Sequence, residues 1–129
     1  MKHIVILKQK YFDMILSGEK TIESRFSFNK SAPYGKVSIG DELLLKVTGG
    51  CVTATAKVKA VEYYEDLYPE RINKIRVKYG KQIGSTKMSD WMDTMTKNFC
   101  TLIWIEDVKE IEPINVKRSC GAGWIIIKE

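Results

Sequence analysis

Histidine is almost missing from this chain: His3 is the only one among 129 residues. Serine–histidine and cysteine–histidine catalysis both place an imidazole beside the nucleophile. Such chemistry is excluded unless His3 folds over a distant site. Cysteine is scarce too. Cys51, Cys100 and Cys120 are odd in number, widely spaced and without a Cys-x-x-Cys pair. That argues against a disulfide framework and against a zinc site; they read as reduced, small apolar residues. No metal and no cofactor is expected. No apolar run approaches the roughly 20 residues that span a bilayer. The short run at 4–7 follows a basic start but is too brief for a signal peptide, so the expected compartment is the cytoplasm. No repeat, low-complexity tract or linker breaks the chain, and one domain over residues 1–129 is expected. The glycine-rich stretch 119–123, preceded by Lys117 and Arg118, lacks the Gly-Lys-Ser/Thr order of a phosphate loop. It reads as a turn before the last strand.

What is present suits a globular domain: 44% hydrophobic and 29% charged residues. A chain of this length buries roughly two-thirds of its unfolded surface, enough for a core without staples. The net charge of +5 favours polyanionic partners. Its distribution says more: Arg71, Lys74, Arg76, Lys78 and Lys81 face one acid, Glu70, across a short stretch.

Periodicity lays out the elements. A strand is expected at 4–7 and a helix at 11–17, stopped by Gly18. Residues 21–28 read as a strand with Ile22, Phe26 and Phe28 on one face and Thr21, Glu23 and Arg25 on the other. An irregular loop follows to about residue 39. A strand at 43–47 turns through Gly49-Gly50, both taken as positive-φ residues, into a strand at 52–60. There Val52, Ala54, Ala56 and Val58 share a face, and the small alanines suit a crowded barrel interior. Pro69 opens a second helix with an apolar stripe of Ile72, Ile75 and Tyr79, ending at Gly80. Arg71, Lys74 and Lys78 repeat at the same spacing as a basic stripe. Ser89 is read as the cap of a third helix that buries Trp91, Met92, Met95 and Phe99. Strands follow at 100–105, at 108–116 as an edge or bulged strand interrupted by Pro113, and at 123–127. These elements read as α+β, a small β-barrel with two or three flanking helices.

The densest chemistry lies in Gly18-Glu19-Lys20-Thr21-Ile22-Glu23-Ser24-Arg25, where a helix gives way to a strand. Glu23 and Arg25 are two residues apart and leave the sheet on the same side. The alternative use of these charges is a solvated ion pair. Gly18-x-Lys20-x-x-Glu23-x-Arg25 resembles the signature of the ASCH domain, a PUA-like β-barrel family, with every position filled. The order of surrounding elements extends the likeness over about residues 4–128. The resemblance implies a cleft between barrel and helices, lined by Lys20, Glu23 and Arg25, and RNA or a nucleotide-like ligand.

An ionised Glu23 between two cations would accept a base amino group or act on water; Arg25 would clamp a phosphate or carboxylate, and Lys20 would supply a point charge. Tyr34, beside Pro33 and Gly35, is the expected stacking residue of an exposed loop. Trp91, Trp104 and Trp124 are read as core. Arg71, Lys74 and Lys78 are either an RNA-backbone track or a solubilising face. Two function classes stand side by side. One is a binding module for RNA or a nucleotide-like ligand. The other is a hydrolase of a modified nucleoside or RNA, with Glu23 as general base and Lys20 as its partner. Some ASCH-like proteins remove an acetyl group from acetylated cytidine, using a Lys, a Thr three residues on and a distant Glu. Lys20 matches the Lys, but Glu23 stands in the Thr position. Glu62 and Glu65 are the candidates for the distant Glu. A protein-partner domain is a third class, and no motif speaks for it.

Overall fold

A computed structural model describes residues 1–116 and 123–128. Strand β1 (Lys2–Leu7) leads into helix α1 (Gln9–Ser17), and β2 (Ile22–Ser27) returns along the far edge of the sheet. Then come β3 (Glu42–Val47), β4 (Val52–Tyr64), helix α2 (Pro69–Ile83), a short helix α3 (Met88–Trp91) continued by a 3-10 turn (Met92–Thr94), β5 (Phe99–Ile114) and β6 (Trp124–Ile127). The six strands pair in the order β2-β5-β4-β3-β1-β6. Only β1 and β3 run parallel; the other pairs are antiparallel. Among the described residues no helix is long and apolar enough to cross a membrane.

The sheet is an α+β half-barrel, curled so that its two outer strands approach each other. Among the described residues no strand ladder closes the seam. The guanidinium of Arg25 on β2 spans it instead, donating to the carbonyls of Ile6 at 3.0 Å and Gly123 at 3.1 Å. Val52, Ala54, Ala56 and Val58 are all buried, but the alternation holds for one face only from Ala54 to Val58. Ala54, Ala56 and Val58 pack with Val5, Leu43, Leu45 and Ile103, under α1, whereas Val52, beyond a register shift, packs with Ile4 and Leu44 in a separate cluster. A second core lies outside the curl, where Ile72, Ile75 and Ile83 of α2 meet Ile22, Trp91 and Leu102. Of the motif strand, Ile22 is buried in this second core and Glu23 beside it is buried as well, while residues 24–27 are half-buried.

Several expectations change. Helix α2 runs through Gly80 to Ile83, and Gly84, at φ 93°, is the residue that turns left-handed. The Ser85 amide bonds the Gly80 carbonyl at 2.8 Å and the Gly84 amide the Lys81 carbonyl at 3.2 Å, a two-bond helix stop. Gly80 has another job: a Cβ there would sit 2.7 Å from the Ser85 carbonyl oxygen. Ser89 lies inside α3, whose N-cap is Lys87, and Met92 is exposed. Phe99 belongs to β5. That strand runs unbroken to Ile114, past Pro113, because its bend sits at Asp107, where φ is 52° and the register with β4 slips. Of the paired glycines, only Gly49 has a positive φ.

The loop between β2 and β3 is tied down by side chains. The Tyr63 hydroxyl accepts from the Val37 amide and donates to the Val37 carbonyl. His3 is fully buried. The Trp124 indole N–H donates to its Nδ1 at 3.0 Å, so its Nε2 carries the proton and donates to Asp41 at 2.8 Å. His3 thus pins strand β1 to Asp41 and does not fold over the motif. Cys51 and Cys100 are free thiols. Burial raises the pKa of Cys100 and makes it a poor thiolate. Cys120 and the stretch 119–122, with Lys117 and Arg118, lie outside the described residues.

Candidate ligand-binding site

Gly18 stops α1 with φ 86°, and the chain swings so that the Lys20 amide bonds back to the Met14 carbonyl at 3.0 Å. This turn sends the Lys20 side chain inward, between β2 and the end of α2. Lys20 is 3% exposed and Glu23 6%. The Lys20 ammonium lies 2.8 Å from the Ile22 carbonyl, 2.6 Å from the Ile83 carbonyl and 3.0 Å from Glu23 Oε1. Its three protons are all engaged within the protein. Arg25 donates from Nε (2.9 Å) and Nη2 (2.7 Å) to Glu23 Oε2, in addition to its two seam carbonyls. Four of its five N–H groups are occupied. Its guanidinium also lies 5.4 Å from the Trp124 ring centroid.

Burial pushes the Glu23 pKa up, but the charges of Lys20 and then Arg25, with the hydrogen bonds they donate, pull it further down, to about 2 from an ordinary 4.5. Glu23 is therefore ionised throughout the neutral range. A carboxylate so stabilised is a weak base, far from the near-neutral pKa that favours general-base catalysis. The three motif residues are thus one satisfied network rather than three loose charges. The solvated ion pair on an open sheet does not describe them.

The network forms the floor of a cavity of about 370 Å³, at the small end of the range for small-molecule sites. Tyr11 of α1 and Phe26 of β2 supply aromatic walls, and Trp91 packs edge-on against Phe26 at 5.7 Å. The far wall comes from α3 and the turn after it, including Asp90, Asp93 and Lys97. Tyr34, expected as the stacking residue, is not in the lining of this cavity, whose third side is the α3 segment; residues 31–33 of its loop line a smaller cavity on the other side of Arg25 and Phe26. Tyr34 is half-buried instead, packed between Tyr63 (5.2 Å) and Phe99 (5.0 Å).

Lys20, Glu23 and Arg25 come together as the spacing suggests. Arg71, Lys74 and Lys78 do not join them; they line a separate cavity on α2. Glu62 accepts from the Tyr64 hydroxyl at 2.6 Å, and Glu65 lines the α2 cavity, so neither reaches the motif. Sequence reasoning missed Asp90, Asp93 and Lys97. They lie some 70 residues downstream of the motif on a segment with weak periodicity, and no local signal marks them. Phe26 was assigned to the buried face of its strand, and Tyr11 to a helix, without either being seen as a cavity wall. Among the described residues, no group of three His, Cys, Asp or Glu side chains is placed to hold a metal ion.

Curled mixed sheet, flanking helices and a motif cavity at the helix–strand junction define a PUA-like α+β protein. The family model for the ASCH domain matches residues 5–115, and the chain belongs to that family. Among solved structures, the ASCH protein from Zymomonas mobilis superposes with a TM-score of 0.75 at 16% identity, covering 99% of this chain and 88% of that one. A single-substitution variant of the same protein gives 0.76 at 16% identity, with 99% and 89% covered. A structure described as hypothetical protein PH0355 gives 0.58 at 20% identity, covering 88% of this chain and all of that one. At these identities the likeness is one of fold. No curated protein matches the chain.

Proposed function

We propose that this ASCH-domain protein, acting in the cytoplasm, binds RNA or a nucleotide-like ligand by holding one base in the cavity beside Lys20, Glu23 and Arg25. The observation that carries the reading is the state of Glu23: buried, ionised, and fixed by two cations at the floor of an aromatic-walled cavity. A carboxylate has about four acceptor positions. Lys20 and Arg25 fill three of them, and the fourth is available to an exocyclic amino or ring N–H group. Arg25 keeps one N–H donor. Tyr11 and Phe26 offer flat apolar surface for a base, which single-stranded RNA recognition uses widely. Asp90 and Asp93 balance the charges of Lys8 and Lys97 in the lining, so outside the motif the walls carry no excess of cations for a phosphate. Lys20 and Arg25 thus orient Glu23 instead of clamping phosphate.

Binding is preferred over hydrolysis of an acetylated nucleoside or of RNA because Glu23 is too weak a base and Lys20 has no free proton position. The test is an NMR titration with a panel of nucleosides and with ribose 5-phosphate. Nucleosides should shift the Ser24, Phe26 and Lys97 amides, and ribose 5-phosphate should not. Shifts from the sugar phosphate but from no nucleoside would refute the base-holding reading. Turnover of acetylated cytidine by the unmodified chain would replace binding with hydrolysis.

A further inference from the structure

The motif cations are largely consumed internally, so holding the phosphates of a strand calls for further cations. Among the described residues, α2 offers a place with the right chemistry. Helix α2 carries Arg71, Lys74 and Lys78 on one exposed face, and these residues line a second cavity of about 360 Å³. Among the described residues none of the three forms an ion pair, in contrast to Lys20 and Arg25. Glu65 is the single acid in the lining. The floor is apolar, from Leu67 and Ile75, and two tyrosines flank it. Tyr64 is held by its hydrogen bond to Glu62, and Tyr79 packs edge-on against Trp104 at 5.4 Å.

We infer that this cavity is a second nucleotide subsite. In it Arg71, Lys74 and Lys78 contact phosphates of a single-stranded RNA, and the tyrosine-flanked floor takes one base. The inference extends the reading of the motif cavity to the flanking strand. Three unpaired cations beside an apolar, aromatic floor complement a nucleotide on both counts: phosphate for the charges, a flat ring for the floor. From Arg71 to Lys78 the stripe extends about 10 Å along the helix at 1.5 Å per residue, room for more than one phosphate of an extended strand. The same helix ends at Ile83, which lines the motif cavity. One rigid element therefore touches both sites.

The experiment compares the wild-type chain with the triple variant Arg71→Gln, Lys74→Gln, Lys78→Gln. Glutamine has a helix propensity close to that of lysine and arginine, and the three positions are exposed, so the fold should survive; thermal unfolding checks this. A fluorescent oligouridylate is titrated by anisotropy at several salt concentrations. In the wild type its addition should shift the α2 amides. The triple variant should bind at least about tenfold more weakly at low salt, and its log–log salt slope should shrink by about 0.7 per lost phosphate contact, so roughly 1.4 to 2 in all. Nucleoside-induced shifts at Ser24 and Lys97 should stay the same. Oligouridylate shifts at α2 without nucleoside shifts in the motif cavity would sink the base-holding reading and leave this inference standing. Unchanged affinity and slope in the triple variant, or no oligouridylate binding by the wild type, would overturn it. Equal or tighter binding of a polyglutamate peptide at α2 would also overturn it and assign the face to an acidic protein.

Discussion

Replacing Glu23 by glutamine tests the central claim that the motif is a single buried charge network. The change keeps the shape but removes the charge that neutralises Lys20 and Arg25. An amide has one acceptor oxygen and an NH2 group. Whichever way it turns, that NH2 faces either the Lys20 ammonium, 3.0 Å from Oε1, or the Arg25 guanidinium, 2.7 Å from Oε2. Donor then meets donor at a site almost closed to water. Breaking a buried pair by removing one partner costs about 3–5 kcal/mol. An independent route gives a similar figure. A carboxyl held at a pKa of about 2 against 4.5 contributes about 3 kcal/mol at neutral pH, at 1.36 kcal/mol per unit. For a chain of this length such a loss lowers Tm by roughly 10–20 °C. Urea unfolding at neutral pH, wild type beside Glu23→Gln, measures it directly. A loss under about 1 kcal/mol would refute the network, because it would mean that Lys20 and Arg25 do not depend on this charge.

The same residue sets a pH dependence. Its native pKa is lowered, so its contribution is complete above about pH 4.5 and is lost as pH falls toward about 2. Stability measured across that window should fall steeply for the wild type and less so for Glu23→Gln; parallel curves would count against the assignment. Arg25→Lys keeps the charge, but one ammonium cannot reach Glu23, Ile6 and Gly123 together. Hydrogen exchange at the amides of Ile6 and Trp124 should quicken as the seam loosens, and unchanged protection would show the seam holds without the guanidinium. Gly80→Ala forces a methyl toward the Ser85 carbonyl, which also accepts the Trp91 indole N–H at 2.9 Å. Denaturant titration should show a loss of about 1–3 kcal/mol, with nucleoside-sensitive amides near Trp91 displaced. Tyr63→Phe strips the Val37 amide and carbonyl of their partner. A loss of about 1–2 kcal/mol is expected, with nucleoside shifts in the motif cavity unaltered, since the loop it holds lies outside that cavity.

Much of the architecture is legible where neighbours along the chain decide the outcome. The alternation of Ala54, Ala56 and Val58 marks a buried face because strand geometry alone sends every second side chain inward; Val52 leaves that face at a register shift no spacing rule foretells. Gly18 marks a helix stop because its left-handed φ is a local property. The motif residues were identifiable by type and spacing, and the same-side placement of Glu23 and Arg25 followed from period two. Local signals also misled. Gly80 and Gly84 look alike as helix stops, and the choice between them is made by Ser85 folding back onto Gly80. Tyr34 has the neighbours of an exposed loop residue, yet Tyr63 and Phe99, far along the chain, enclose it.

By itself, then, the sequence determined an α+β chain, its element order, and a Lys–Glu–Arg cluster at a helix–strand junction. What that cluster is for depended on partners no spacing rule can name. Lys20 reaches the Ile83 carbonyl across 63 residues, and Arg25 reaches Gly123 across 98. Together with the bonds to Ile22, Glu23 and Ile6, those two contacts engage every Lys20 proton and all but one of the Arg25 N–H groups. Packing of the end of α2 against the start of β2 turned surface-type residues into an interior ion network. The tertiary structure alone separated that network from the exposed cations of α2, because only packing decides which charges find protein partners and which stay at the surface.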